Sequence, residues 1–152
     1  MNFYMDAGAS QSLLQADVRK YIFPLDATCA ILFSKKEAGE IAALGNPYAE
    51  YLPCLMTHFI DRITALGISN NSSMDCHDIA IHDVFCILYL IDPDIVLEMK
   101  RENCDVDFSG GIADGQLIVD RRSYVKPRGK NNVAYKLDKA RVMDLLMRIL
   151  KV

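Results

Sequence analysis

The sequence predicts an α/β chain, mostly helical, with a short buried strand and a small distal β-layer. Three observations predict it. Apolar residues recur at helical spacing over long stretches, most clearly Leu52, Leu55, Met56, Phe59, Ile60, Ile63 and Leu66. A short apolar run, Tyr21 to Leu25, is bounded by polar residues. After Pro93 the pattern changes to partial alternation, punctuated by Gly110-Gly111 and Gly115.

In chain order, Met1 to Tyr4 is short and apolar around Asn2, and Asp6 is placed to N-cap a helix through Ala9, Leu13 and Leu14. Tyr21 to Leu25 reads as the buried strand, ending in Asp26-Ala27-Thr28. Ser34 and Glu37 have the spacing of a capping box, and Leu44-Gly45 supplies the stop. Asn46 as N-cap and Pro47 at the first helical position start a long amphipathic helix that runs to Gly67, with Pro53 inside its second turn. Ser69 to Asp75, SNNSSMD, reads as a polar loop placed where a lid over a site would lie.

The stretch Cys76 to Asp94, CHDIAIHDVFCILYLIDPD, is the centre of the chain. Val84 to Ile91 has no polar face, so a helix there is expected to be buried on most sides, and Asp92-Pro93 ends it. His82 and Asp83 stand at its entrance. Beyond Pro93, Leu97, Met99, Cys104, Val106 and Phe108, then Leu117 to Val119, read as strands of an antiparallel layer. Arg121 to Lys130 reads as a solvated basic loop, Val133 to Leu137 as a last strand, and Asp138 as the cap of a final helix facing the core through Val142, Leu145, Leu146 and Ile149.

Composition narrows the function classes. With 152 residues the chain reads as a single domain, a length at which about 70% of the unfolded surface is buried on folding. A net charge of -3 argues against nucleic acid as a partner, and no apolar stretch has the length of a membrane span. The N-terminus has no signal-peptide pattern. Five cysteines without a CxxC pair read as reduced thiols in a cytoplasmic protein. Cys76, His77 and His82 lack both the spacing and the second cysteine pair of a zinc site.

The order of several short motifs resembles the inosine-uridine preferring nucleoside hydrolases. The matching residues are Asn2-Phe3-Tyr4 with Asp6, Pro24-Leu25-Asp26-Ala27-Thr28, Gly45-Asn46-Pro47, Ile81-His82-Asp83, Tyr89-Leu90-Ile91-Asp92-Pro93, Asp105-Val106, Gly115 to Asp120, and Asn131-Asn132-Val133-Ala134. The resemblance covers essentially the whole chain but only the C-terminal half of the family. It therefore implies that residues 1–152 form a single partial domain, the C-terminal portion of a nucleoside-hydrolase-like fold.

It also implies a reaction: hydrolysis of the N-glycosidic bond of ribonucleosides to base and ribose, as in purine and pyrimidine salvage. In the family, calcium held by aspartates carries the attacking water. Calcium takes six to eight oxygen ligands, the metal makes its water nucleophilic, and a poor leaving group needs a proton donor such as histidine. By position, the resemblance makes Asp83 the metal ligand, His82 the residue that protonates the leaving base, and Asn2 a ribose-binding residue. A plain cap of the following helix is the other reading of His82-Asp83, and a frayed chain end the other reading of Asn2.

Nothing here resembles the family's N-terminal DxDxGxDD segment, the source of most calcium ligands. Cys29 replaces a common histidine, Val84 a common proline and Asp114 a common arginine. The isolated chain is thus expected to be inactive alone, with unpartnered apolar faces on the helices of Ala49 to Leu66 and Val84 to Ile91. The expected partners are a ribonucleoside substrate, an N-terminal half or a second copy. A catalytically inactive remnant or a self-associating binding module is the alternative.

Overall fold

Local chemistry sets most of the helix starts, and long-range packing sets what they cover. The computed structural model describes residues 2–67, 78–126 and 128–151. They fall into two compact units, Met1–Ile22 with Met99–Ala134, and Phe23–Glu98 with Tyr135–Val152.

The first unit begins with two helices, α1 (Asn2–Met5) and α2 (Ala7–Gln15). Asp6 caps α2 as its sequence position predicts, its Oδ1 accepting from the Ala9 N–H at 2.8 Å. Lys20 closes the other end, its Nζ donating to the carbonyls of Leu13, Leu14 and Ala16 at 3.0, 3.1 and 2.6 Å. A cation at a helix C-terminus both bonds the orphan carbonyls and opposes their dipole.

Three strands, β1 (Arg19–Ile22), β2 (Val96–Glu102) and β5 (Lys130–Leu137), form a sheet in the order β1-β5-β2. β1 runs parallel to β5, with Arg19 opposite Lys130 and Ile22 opposite Val133. The small antiparallel layer consists of β3 (Cys104–Val106) and β4 (Leu117–Val119), with Asp105 opposite Ile118. The turn between them needs Gly115, whose φ is 77° and which lies so close to the Tyr4 backbone that a Cβ would not fit.

Three sequence expectations change here. The strand expected over Tyr21 to Leu25 lies at Arg19–Ile22, and it is not buried: Arg19 and Tyr21 are exposed, Lys20 and Ile22 half-buried. An edge strand with one open face alternates in this way, and Pro24 starts the next helix instead of extending the strand. The residues around Leu97 and Met99 join the larger sheet as β2 rather than the small layer. The last strand starts at Lys130, not Val133, because parallel pairing with β1 uses Lys130 to Val133.

The second unit holds α3 (Leu25–Thr28), α4 (Lys35–Ala42), α5 (Pro47–Ala65), α6 (Val84–Ile91), a 3-10 turn (Pro93–Ile95) and α7 (Lys139–Leu150). The caps are those the sequence predicts. Ser34 and Glu37 close a capping box on α4. Asn46 Oδ1 accepts from the Ala49 N–H at 3.0 Å, and Asp138 Oδ1 from the Arg141 N–H at 3.1 Å. Gly45, at φ 66°, ends the α4 segment. α5 continues through Pro53, and α4 packs along it.

The core of this unit contains Phe33, Ile41, Met56, Ile60, Phe85, Leu88, Ile95, Val142 and Leu145. Two apolar helices are only partly covered: both carry the open apolar faces expected of an isolated C-terminal portion, and α6 is not buried on most sides. In α6 only Phe85 and Leu88 are buried, while Ile87, Leu90 and Ile91 are exposed, Leu90 by 77%. The expected single stripe of α5 splits into two. Met56, Ile60 and Ile63 face inward with Ala49, whereas Tyr48, Tyr51, Leu55, Phe59 and Leu66 remain on an open face. Hydrophobic periodicity marks apolar faces but does not say which one finds a partner. The loop Ser69 to Asp75 lies outside the described residues. Among the described residues no helix is long and apolar enough to cross a membrane.

Candidate functional site at the head of α6

Two backbone bonds build the site. Phe33 N–H donates to the Ile79 carbonyl at 2.8 Å, and Ile79 N–H returns a bond to the Phe33 carbonyl at 2.9 Å. Phe33 is fully buried, so this bridge pins the residues after α3 beside the residues that lead into α6. The Phe23 and Tyr89 rings meet edge to face, 5.5 Å between centroids, giving α3 and α6 a second contact. At its far end α6 is held by Asp92, which receives two bonds from Arg141 of α7 at 2.7 and 2.9 Å. Those bonds keep the Asp92 carboxyl below its ordinary pKa.

On this frame Thr28 meets His82. Thr28 is fully buried, and its Oγ1 lies 2.8 Å from His82 Nδ1. His82 is half-buried, and among the described residues Nε2 has no hydrogen-bond partner. The hydroxyl can donate to a neutral ring or accept from a protonated one, so it serves either state of the imidazole.

Asp83 precedes the first residue of α6 but does not cap it. Its backbone is in the α region, its side chain makes no capping bond, and its exposed carboxylate has no hydrogen-bond or ion-pair partner among the described residues. The capping alternative for Asp83 is thereby removed. Two neighbouring thiols are poor nucleophiles. Burial and then the Asp26 charge push the Cys29 thiol up, and burial and then the Asp83 charge do the same to Cys86.

Asn2 is the first residue of α1, in the first unit, and it is exposed. The structure therefore places His82, Asp83 and Thr28 in one unit and Asn2 in the other. Thr28 is the site residue that residue-by-residue reasoning missed. Its signal was present in the Pro24 to Thr28 motif, but its partner lies 54 positions away.

Calcium requires more than this site supplies. Asp83 offers one carboxylate, and among the described residues no group of three or more His, Cys, Asp or Glu side chains could hold a metal ion. The described residues alone thus do not fit a calcium site.

The first unit has its own surface cavities, of about 270 Å³ beside Arg101, Asn103, Asp120 and Arg128, and about 460 Å³ beside Asp105, Asp120 and Arg122. Their cations are committed internally: Arg122 to Asp120, Arg128 to Asp105, and Arg101 to the Gly129 carbonyl.

The chain shares its α/β fold with solved ribonucleoside hydrolases. One is the purine-preferring ribonucleoside hydrolase from Gardnerella vaginalis, with a TM-score of 0.79 and 20% identity over 95% of this chain and 43% of that one. A second is the plant nucleoside hydrolase PpNRh1 enzyme, with a TM-score of 0.83 and 18% identity over 99% and 47%. A third is an inosine-guanosine nucleoside hydrolase, with a TM-score of 0.71 and 17% identity over 95% and 43%. No curated protein sequence matches this chain significantly.

The model of the inosine-uridine preferring nucleoside hydrolases matches residues 1–144, and the chain belongs to that family. It spans less than half the length of the three solved proteins, 43% to 47%.

Proposed function

We propose that the chain is one part of a ribonucleoside N-glycosyl hydrolase, releasing base and ribose in purine or pyrimidine salvage. The observation that carries this reading is the spare bonding capacity at the head of α6. A carboxylate and an imidazole nitrogen stand side by side there, neither used by the fold. In hydrolysis a water adds to the anomeric carbon, the carbon–nitrogen bond to the base breaks, and the base leaves with a proton. His82, as the imidazolium, is assigned the delivery of that proton through Nε2, which leaves the ring neutral. Asp83 is assigned to hold a metal, calcium by family, once further carboxylates join it, and Asn2 to bind the ribose hydroxyls.

In this reading residues 1–152 are a single partial domain, completed by an N-terminal half or by another copy. The open apolar faces of α5 and α6 support that association. They equally favour a second reading, a catalytically inactive remnant or a self-associating binding module. Free thiols at Cys29, Cys54, Cys86 and Cys104 support a cytoplasmic location.

The test is incubation of the purified chain with inosine and with uridine in the presence of calcium, with chromatography of free base. We expect no release from the isolated chain. We expect release when it is co-expressed with an aspartate-bearing N-terminal half, and Asp83→Ala then abolishes it. Turnover that survives Asp83→Ala sinks the site assignment, and a stable complex without turnover favours the inactive reading.

A further inference from the structure

We infer that Thr28 is a positioning residue for His82: its buried hydroxyl donates to Nδ1, turning the ring so that the neutral imidazole carries its proton on Nε2. The catalytic meaning of this contact rests on the role proposed for His82; the contact itself does not.

A hydroxyl has one proton to give, and three acceptors surround Thr28 Oγ1. His82 Nδ1 is at 2.8 Å, the Pro24 carbonyl at 3.3 Å and the Leu25 carbonyl at 3.5 Å. The two carbonyls already have donors. Pro24 O receives the Ala27 and Thr28 N–H groups at 3.0 and 3.1 Å, and Leu25 O receives the Cys29 N–H at 2.8 Å. Giving the proton to Nδ1 therefore leaves neither carbonyl unpaired and makes the shortest of the three bonds. The reverse arrangement, with the proton on Nδ1, would direct the hydroxyl proton to a carbonyl at 3.3 Å or beyond, where hydrogen bonds weaken.

Burial makes the choice matter. Thr28 is wholly inaccessible, so water cannot replace the bond, and an unmade bond at such a site would carry the desolvation penalty of the hydroxyl. α3 and the Phe33–Ile79 bridge hold Thr28 in place. A side chain so fixed can set which imidazole nitrogen faces a ligand, as outer partners of functional histidines do elsewhere. Here that turns Nε2–H of the neutral ring outward as a hydrogen-bond donor toward a bound base; delivering a proton to the base needs the imidazolium, in which Thr28 Oγ1 instead accepts from Nδ1–H.

The test uses the full chain labelled with 15N-histidine, at a pH where the rings are neutral. Long-range 1H–15N correlation reports which ring nitrogen carries the proton. We expect His82 in the Nε2–H form, with its Nδ1 resonance moved upfield of that of His58, an exposed ring that serves as internal reference. Thr28→Val should move the His82 Nδ1 resonance downfield, and Thr28→Ser should restore it. An Nδ1–H tautomer, or a wild-type Nδ1 shift equal to that of His58, overturns the inference without any need for a folded Val variant. The spectrum requires no turnover, so failure here leaves the hydrolase reading standing, and absence of hydrolysis leaves this contact standing.

Discussion

Two aspartates, one in each unit, are bonded in opposite ways. Asp105 on β3 is fully engaged: Gln11 and Gln15 of α2 donate to its Oδ1 at 2.8 and 3.0 Å, and Arg128 to its Oδ2. Gln11 also accepts from the Val106 N–H at 2.7 Å, so the cluster stitches α2 to the small β-layer. Asp83 at the head of α6 receives no bond from any described residue. A carboxylate whose lone pairs are filled by the fold contributes to stability. One left open beside a half-buried histidine has its capacity free for a ligand, which is why charge and residue type alone do not distinguish the two.

Truncating Phe85 should disturb the Asp83 side of this pair more than any other change. Phe85 is the second residue of α6, fully buried two positions after Asp83. Phe85→Ala should lower the unfolding free energy by about 3–5 kcal/mol, read by urea denaturation, because the lost burial is compounded by a cavity. A smaller change, under about 1 kcal/mol, would show that the base of the site is not rigidly packed.

Exchanging the two aspartates for alanine sharpens the contrast. Asp105→Ala removes the charged acceptor of Gln11, Gln15 and Arg128 and should cost about 1–3 kcal/mol. Asp83→Ala removes no bond from the fold and should change stability by less than about 0.5 kcal/mol. Equal losses in the two variants would mean that Asp83 has a structural role after all.

The smallest effect is a titration. Side-chain and backbone hydrogen bonds from Arg122 hold the Asp120 carboxyl down from 3.8 to about 2. Since the folded value is the lower, the associated stabilisation is complete above the ordinary carboxylate value and is lost as pH falls through about 2. Carboxyl 13C shifts followed against pH should give Asp120 a midpoint near that value, and Arg122→Ala should return it toward 3.8.

Features that depend on neighbours along the chain are legible in residue order. The caps at Asp6, Ser34, Asn46 and Asp138 all formed, because a cap joins residues two or three positions apart. The motif order was enough for the family. Packing fixes the rest: β2 lies beside β5, Leu55 and Phe59 stay open while Met56 and Ile60 are covered, and the Asp83 side chain makes no capping bond. Only it joined Thr28 to His82. Apolar spacing and residue type record what a side chain could do; which partner it meets depends on contacts across tens of residues, and those exist only once the chain has packed.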